Sequence, residues 1–169
     1  NKMKKILTAC AVFAFTAISF AQDVTKVNWV TFEQALEMQK KAGKKAKPIF
    51  VDVYTEWCGP CKLLDKTTFI DEAVAKKLNE DYIPVKFNGE GNEVLNYKGK
   101  KYTNPNFNPD RKGRNSIHEF TTYLELVGYP SLFIFDAKGE KVKSIVGYKT
   151  AQELLKDLEA PKSVEIKKS

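Results

Sequence analysis

The sequence is poor in side chains that bind metals. It has one histidine, His118, and three cysteines: Cys10 near the start of the chain, and Cys58 and Cys61, which are separated by two residues. A structural zinc site needs four ligands, and the chain beyond Cys10 offers only three Cys or His side chains. Haem attachment needs a histidine directly after the second cysteine of a Cys-X-X-Cys pair, and Lys62 stands there. The sequence therefore predicts neither a metal site nor haem.

A long hydrophobic run is also missing. The most extended apolar stretch, residues 6–20, has 15 residues, fewer than the roughly 20 that a membrane-spanning helix needs. It follows a lysine-rich start and precedes the small-X-small site Ser19-Phe20-Ala21, which is the pattern of a secretory signal peptide (residues 1–21). We expect cleavage after Ala21, which leaves one domain of residues 22–169. We favour this over lipoprotein processing at Cys10, because that cleavage would leave too short an apolar region.

Charge of one sign is not concentrated in any part of the chain. The formal net charge is +7, and the lysines are scattered. A mild, dispersed positive charge gives no reason to expect nucleic-acid binding. The sequence has no internal repeats, and the length of residues 22–169 suits one domain with one hydrophobic core.

What the sequence does contain is the pentapeptide Trp57-Cys58-Gly59-Pro60-Cys61. Two cysteines at this spacing can close a small, reversible disulfide. Gly59 permits the tight turn between them, and Pro60 presets the backbone for the first turn of a helix. Cys58 then lies at a helix N-terminus, where unpaired backbone N–H groups and the helix dipole favour a thiolate. Cysteines in this setting have pKa values of roughly 3.5–7.5, so Cys58 is predicted to be nucleophilic near neutral pH.

The two cysteines are predicted to divide the chemistry. An exported chain that retains only a Cys-X-X-Cys pair uses its disulfide for exchange and not as a long-range crosslink. Cys58 is nearer the helix start and the solvent, so we expect it to attack a client disulfide. Cys61 lies one turn inside the helix, so we expect it to resolve the mixed disulfide that results.

Apolar runs of strand length stand on both sides of this motif. Residues 48–54 lead directly into it. A second run, 132–135, follows a Gly-Tyr-Pro-Ser segment, and a third, 142–146, ends at Gly147. Residues 82–88 predict a further strand.

The pentapeptide, combined with a later Tyr-Pro before a hydrophobic strand, makes the chain resemble the thioredoxin superfamily. The resemblance covers residues 51–62, 85–88, 128–135 and 147–158. Residues 62–69 are more similar to periplasmic thioredoxin-like and disulfide-reductase domains than to small cytosolic thioredoxin. The resemblance implies an α/β thioredoxin fold, with a central mixed β-sheet flanked by helices. Residues 89–115 would be an insertion before the helix that leads to the cis-proline.

Asp52 is a carboxylate inside the apolar strand that leads into the motif. Burial of a lone carboxylate is costly, so a neutral form or an ion pair is expected. The resemblance implies that Asp52 is the buried acid that exchanges a proton with Cys61, and that Lys86 pairs with this acid. The alternatives are a solvated position at the sheet edge for Asp52 and an ordinary surface position for Lys86.

The resemblance also implies a set of residues that contact the client. Pro130 would be the cis-proline that faces the disulfide, and Tyr129, bulkier than its usual thioredoxin counterparts, would tune specificity. Trp57 offers a flat apolar surface to a client peptide, with a core-filling position as the alternative. Gly147 would let the backbone approach the site closely. We place Gly59-Pro60 in the same substrate-binding group.

Local signals predict the first helix boundaries. A helix that begins at Thr31 should end before Pro48. The helix after Pro60 should break near Thr67-Thr68, where two β-branched residues interrupt it, and should restart with Asp71 as its N-cap.

Two capping boxes predict the remaining helices. The box that starts at Ser116 predicts a helix to Leu126, with His118 exposed in its first turn. The box that starts at Thr150 predicts the last helix, which should end at Ala160-Pro161.

The inserted residues 89–115 carry loop signals throughout. Residues 94–103 predict a small hairpin that turns at Lys98-Gly99, and residues 104–114 predict irregular coil. Three aromatic side chains are interleaved with the basic ones: Tyr97, Tyr102 and Phe107. This composition suits a recognition surface; packing of the aromatics onto the domain is the alternative.

The sequence therefore predicts a thiol:disulfide oxidoreductase that uses Cys58 and Cys61, without a metal or nucleotide cofactor. We favour the reducing direction, because a Cys-Gly-Pro-Cys pair with a buried acid resembles low-potential members of the superfamily. Disulfide isomerase or oxidase is the alternative among enzymes, and a binding or chaperone-like module is the alternative outside them. The expected partners are client proteins with thiols or disulfides and a membrane-bound or soluble electron donor. We expect a monomer in the periplasm or outside the cell.

Overall fold

The structure is a computed structural model, and it describes residues 26–159. The predictions for the signal peptide of residues 1–21, for processing at Cys10 or after Ala21, and for the helix end at Ala160-Pro161 fall outside these residues. Between residues 26 and 159, no helix is long and apolar enough to cross a membrane.

The described residues contain six strands, four in a central sheet and two in a separate hairpin. In chain order they are β1 (Ile49–Tyr54), β2 (Ile83–Asn88), β3 (Leu95–Tyr97), β4 (Lys100–Tyr102), β5 (Ser131–Phe135) and β6 (Lys141–Val146). The central sheet has the order β2-β1-β5-β6, with β1 parallel to β2 and antiparallel to β5. Strands β5 and β6 are also antiparallel. The sheet therefore combines one parallel pair with two antiparallel pairs and is mixed, as predicted.

Helices cover both faces of this sheet. The α-helices are α1 (Phe32–Ala42), α2 (Gly59–Lys66), α3 (Glu72–Asp81), α4 (Glu119–Tyr123) and α5 (Ala151–Leu158). Side chains of α1, α4 and the hairpin form one hydrophobic cluster with the sheet, and those of α2, α3 and α5 form the other. This arrangement confirms the predicted α/β fold with a central mixed sheet flanked by helices.

Strand β1 lies inside the sheet, and both of its faces are buried. Ile49, Val51 and Val53 join the cluster on the α1 side, whereas Phe50 joins the cluster on the α2 side. Because side chains alternate along a strand, Asp52 points to the same face as Phe50. Asp52 is 0% exposed, so the solvated edge position considered for it is wrong.

Most of the predicted helix ends are confirmed. Thr31 caps α1 and Thr150 caps α5, each through a hydrogen bond that its side chain accepts from a backbone N–H three residues on. The helix that contains Pro60 ends at Lys66, next to the two β-branched residues. The next helix follows the N-cap Asp71, whose carboxylate accepts a backbone N–H at 3.1 Å.

The fourth helix differs from its prediction. It has five residues, and its N-cap is His118 instead of Ser116. The His118 Nδ1 accepts from the Phe120 N–H (3.0 Å), and its Nε2 donates to the Glu93 carbonyl (2.6 Å). Ser116 does not cap because its hydroxyl donates to Asn104 Oδ1 (2.6 Å). His118 is 0% exposed, so its predicted exposure is wrong, and burial lowers the pKa of its imidazole.

The hairpin of β3 and β4 is confirmed, with the turn at Lys98-Gly99, where both residues have positive φ. Tyr97 and Tyr102 are only 3% and 4% exposed. Both rings pack edge-on against Phe120, and the Tyr97 hydroxyl donates to the Gly139 carbonyl (2.7 Å). The prediction of a recognition surface is therefore wrong for these two tyrosines. They close the core, so deletion of the hairpin would expose it.

Candidate redox site

The two cysteines are joined by a disulfide across the first turn of α2, with their Cα atoms 5.3 Å apart. Cys58 is the N-cap of the helix, and Pro60 lies in its first turn, as predicted. The Cys61 backbone N–H donates to Cys58 Sγ at 3.2 Å. In the reduced protein this N–H and the positive end of the helix dipole would stabilise a thiolate at Cys58.

Solvent exposure does not separate the two sulfur-bearing residues. Cys58 is 2% exposed and Cys61 1%, although Gly59 and Pro60 between them are exposed. Both cysteines are therefore buried in the oxidised protein, and the expected attacking role of Cys58 stays a prediction. The Cys58 N–H donates to the Thr55 carbonyl (3.3 Å), and this turn folds the cysteine back towards the end of β1. What distinguishes Cys58 is its position at the helix N-terminus.

Asp52 is joined to α2 through a lysine. The register of β1 and β2 places Asp52 opposite Lys86, and Lys86 Nζ lies 2.6 Å from Asp52 Oδ2. The same ammonium group also contacts the carboxylate of Asp65. Asp65 stands four residues after Cys61 on α2, so the two share one face of the helix. We call Asp52, Lys86 and Asp65 the inner network.

The surroundings of Asp52 bring the pKa of its carboxyl close to neutral pH. Burial raises the pKa of Asp52 to about 6, although the positive charge of Lys86 opposes this. Burial lowers the pKa of Lys86, but the two carboxylates outweigh burial and raise it. Asp52 Oδ1 has no hydrogen-bond partner among the described residues. The carboxyl can therefore gain and lose a proton close to physiological pH while Lys86 stays charged.

The surroundings of Lys86 also favour its positive charge. Its Nζ lies 5.0 to 5.2 Å from the ring centroids of Trp29, Tyr54 and Phe69. The faces of aromatic rings attract a cation. A cavity of about 460 Å³, open to solvent, is lined by Trp29, Phe69, Asp65 and Lys86. The inner network therefore reaches solvent at the Asp65 end, while Asp52 stays fully buried.

The loop before β5 contains the predicted cis-proline, since the Tyr129-Pro130 peptide bond is cis. The Pro130 carbonyl accepts the Gly147 N–H at 2.9 Å. Gly147 has a φ of 85°, which favours glycine. A Cβ at this position would meet no atom within 4 Å, so the backbone conformation, and not a close approach, explains the glycine.

Trp57 is held by residues of the insertion. Its Nε1–H donates to Glu90 Oε2 at 2.8 Å, and the Asn115 N–H donates to the same oxygen at 2.7 Å. The Arg114 guanidinium lies 4.2 Å from the indole centroid, and the Tyr129 ring meets the indole edge-on at 5.7 Å. Trp57 is half-buried and belongs to neither hydrophobic cluster, so the core-filling alternative is wrong. We call Trp57, Glu90, Arg114 and Asn115 the outer network.

The start of the insertion is fitted to the cis-proline loop. A Cβ on Gly89 would lie 2.6 Å from the Tyr129 hydroxyl oxygen, so a larger residue here would displace the Tyr129 ring. The Gly89 N–H donates to the Tyr54 carbonyl (2.8 Å), and its own carbonyl accepts from the Thr121 hydroxyl (2.9 Å). Burial and the charge of Glu90 raise the pKa of Tyr129 to about 12. A neutral phenol therefore stands beside Trp57.

The structure adds four residues that the sequence did not indicate as site residues. Asp65 had a usable signal, since it is a carboxylate four residues after Cys61 on a predicted helix. Arg114 was indicated only as one of the basic residues of the insertion. Glu90 and Asn115 had no signal, because only the folded insertion brings them to Trp57. The catalytic and client-contact roles of the predicted residues stay predictions. Among residues 26–159, no three His, Cys, Asp or Glu side chains are grouped as a metal site.

Comparison with known proteins finds relatives of the thioredoxin-like type. A family profile described as a thioredoxin-like domain matches residues 33–161. The thiol:disulfide interchange protein DsbD of Campylobacter jejuni is 29% identical over 147 residues, covering 86% of this chain and 21% of the relative. DsbD of Escherichia coli K12 is 27% identical over 130 residues, covering 76% and 19%. The chain therefore spans about a fifth of the length of these curated relatives.

Two solved structures are similar over most of the chain. A putative disulphide-isomerase from Bacteroides thetaiotaomicron is 28% identical, with a TM-score of 0.54, covering 80% of this chain and 93% of that one. A thioredoxin from Thermus thermophilus has a TM-score of 0.56 at 16% identity, covering 79% and 85%, and shows the shared fold.

Proposed function

The chain belongs to the family of thioredoxin-like domains, and from this membership we propose that it reduces disulfides in client proteins outside the cytoplasm. The family and the Cys58–Cys61 disulfide make it a domain of the thiol-disulfide oxidoreductase type. The direction of exchange and the clients are the proposal. The observation that carries it is a buried carboxyl, Asp52, with a pKa of about 6, linked through Lys86 to the helix that bears the cysteines.

The first step belongs to Cys58. In the reduced protein its thiolate attacks one sulfur of a client disulfide and forms an S–S bond to it. The client disulfide breaks, and its other sulfur leaves as a thiolate and takes a proton from water. The helix N-terminus lowers the cost of the attacking thiolate.

The second step belongs to Cys61. Its thiol gives a proton to the Asp52 carboxylate, and the resulting thiolate attacks Cys58 Sγ. The mixed disulfide breaks, the client sulfur leaves as a second thiolate, and the Cys58–Cys61 disulfide forms. Two electrons have then passed from the protein to the client. The structure shows this oxidised end state, and a dithiol donor must return two electrons for the next cycle.

Lys86 and Asp65 act on the pKa of the proton acceptor in opposite directions. A fully buried carboxylate without a partner would hold its proton too tightly to act as a base, because burial penalises the charged form. Lys86 opposes this penalty, whereas the negative charge of Asp65, which contacts Lys86, adds to it. The two residues are therefore proposed to position and tune Asp52.

Trapping experiments test the mechanism. We expect Cys61→Ser to accumulate mixed disulfides between Cys58 and client proteins in an oxidised extract, because the resolving thiol is missing. The matched control, Cys58→Ser, should trap far fewer. The wild type should reduce insulin with a dithiol donor. Absence of adducts together with absence of insulin reduction would overturn the proposal.

A second candidate, disulfide isomerisation, is favoured by the likeness to the putative disulphide-isomerase. The reduction potential separates the two directions. We expect a value nearer the roughly −270 mV of thioredoxin than the roughly −120 mV of DsbA. Recovery of activity in scrambled ribonuclease without a dithiol donor would favour the isomerase.

The remaining expectations complete the proposal. We propose that residues 1–21 are a signal peptide cleaved after Ala21, and that residues 22–169 form one exported thioredoxin-like domain with an insertion at 89–115. The pattern of a basic start, an apolar stretch and a small-X-small site supports this. N-terminal sequencing of the exported protein checks the cleavage site, and sedimentation checks the expected monomer. Cleavage before Cys10 with lipid attachment would overturn it.

A further inference from the structure

A groove runs along the outer network beside the cis-proline loop. Its volume is about 500 Å³, and its lining includes Trp57, Arg114 and Tyr129. Two apolar side chains also line it and are open to solvent: Ile117 is 61% exposed and Val127 is 82% exposed. The groove therefore presents exposed apolar side chains together with Trp57 and Arg114.

Arg114 brings a positive charge to this groove. Its guanidinium is fixed over the indole of Trp57, the residue before Cys58, at 4.2 Å from the centroid. Its side chain is exposed, and it forms no salt bridge with a carboxylate of residues 26–159. The Glu90 carboxylate on the same indole already accepts two N–H groups through Oε2. Arg114 thus packs on the residue that precedes Cys58, and its charge is not neutralised by a salt bridge within residues 26–159.

We propose that Arg114 is a specificity-determining residue, which selects client segments that carry a carboxylate within a few residues of the exchanging cysteine. An arginine pairs with a carboxylate through two parallel hydrogen bonds, which gives direction as well as attraction. An apolar client side chain would sit against Ile117 and Val127. The inference rests on the proposed function and names the substrate class of the same site.

Three charged side chains line the groove: Glu90, Arg114 and Glu125. Glu90 is only 8% exposed, and its Oε2 already accepts two N–H groups. Glu125 is exposed. It is absent from the contacts of Trp57, whereas Arg114 packs directly on that ring. A client lysine near the cysteine would therefore meet Arg114 first, and like charges repel.

Matched peptides test the inference. Two peptides, each with one internal disulfide, differ only in an Asp or a Lys placed two residues from one cysteine. We expect wild-type kcat/KM to be about three- to tenfold higher for the Asp peptide at low salt, the scale of an exposed ion pair that salt screens. Arg114→Gln should bring the ratio close to one, and Arg114→Glu should invert it. The control Lys112→Gln removes an exposed charge from the same loop and should keep the wild-type ratio.

A small uncharged disulfide separates failure of this inference from failure of the proposed function. Reduction of hydroxyethyl disulfide, which is uncharged, reports whether the wild type exchanges disulfides at all; its absence would overturn both proposals. If the wild type reduces it but treats the two peptides alike, or prefers the Lys peptide, the inference on Arg114 is overturned and the function stands. An equal loss of preference in Lys112→Gln and Arg114→Gln would assign the effect to net charge and would also overturn it.

Discussion

Two polar networks adjoin the elements that carry the Cys-X-X-Cys motif, and they are built in opposite ways. The inner network rests on strands and helix of the central fold, and its carboxyl, Asp52, is 0% exposed with one oxygen unpartnered. The outer network rests on the insertion, and its carboxylate, Glu90, has one oxygen that accepts two N–H groups. The first leaves a carboxyl able to change its protonation state, and the second fixes a ring in place.

This difference indicates a division of labour. A group that exchanges protons needs a pKa near the working pH, and burial of Asp52 provides that. A surface that contacts clients needs side chains held in fixed orientations, and the packing of Arg114 and Tyr129 on the Trp57 ring provides that. Changes in the inner network should therefore alter the pH dependence of turnover. Changes in the outer network should alter client contact without altering that dependence.

The largest effect is expected from Asp52→Asn. Loss of the proton acceptor should lower the rate of disulfide reduction at pH 7 by about 100-fold, the usual scale of general base catalysis. The measurement is a pH profile of turnover from pH 5 to 9, in which the rise near pH 6 should vanish. The control is Asp110→Asn in the exposed loop. An unchanged profile in Asp52→Asn would show that the inner network does not handle the proton.

The same substitution should stabilise the protein above pH 6. The folded-state pKa of Asp52 is about 6, above the unfolded value of 3.8. The neutral carboxyl is therefore favoured in the folded state, so its stabilising contribution is complete below pH 3.8 and is lost as the pH rises through 6. Relative to the wild type, we expect Asp52→Asn to gain up to roughly 3 kcal/mol in free energy of unfolding at pH 7. Urea titrations at pH 4 and pH 7 measure this gain, which should be absent at the lower pH.

Most of the inner network could be predicted from the sequence. A carboxylate in an apolar run indicated a buried acid, and the resemblance supplied Lys86, which the parallel register then places opposite Asp52. The helix that begins at the motif followed from Gly59-Pro60. These inferences succeed because the signals are local or belong to elements that the whole superfamily shares.

The outer network and the burial of the hairpin tyrosines could not be predicted from the sequence in the same way. Trp57 and Glu90 stand 33 residues apart, and no local pattern links them. Tyr97 and Tyr102 lie among lysines, so their composition resembles a surface, yet tertiary packing buries both rings. His118 lies in a Ser-X-X-Glu pattern that predicts a different cap. Its imidazole takes over the cap because the insertion covers it and offers the Glu93 carbonyl.

A smaller effect is expected from Glu90→Gln, which tests whether the outer network influences the pH dependence of turnover. The amide has one oxygen and no charge, so it cannot match the charge-assisted bonds to Trp57 and Asn115. We expect a loss of about 1–2 kcal/mol in free energy of unfolding, faster amide exchange at Asn115, and a shift in indole fluorescence. The pH profile of turnover should keep its wild-type midpoint. Glu125→Gln, an exposed carboxylate in the same groove, is the control. A displaced midpoint in Glu90→Gln would mean that the two networks are coupled.

The smallest effect is expected from Asp65→Asn, which tests whether the inner network acts as a unit. The Asp65 side chain is 45% exposed, so loss of its ion pair with Lys86 should change the free energy of unfolding by less than about 1 kcal/mol. Its negative charge raises the pKa of Asp52, so its removal should lower that pKa and move the midpoint of the turnover profile to lower pH. A small change in stability combined with a displaced midpoint is the signature of a residue that acts through Asp52. The loop variant Asp110→Asn should leave the midpoint in place. A midpoint that does not move would show that Asp65 is only a surface partner of Lys86. A midpoint that moves upward would show that Asp65 acts by holding Lys86 in place and not by its own charge.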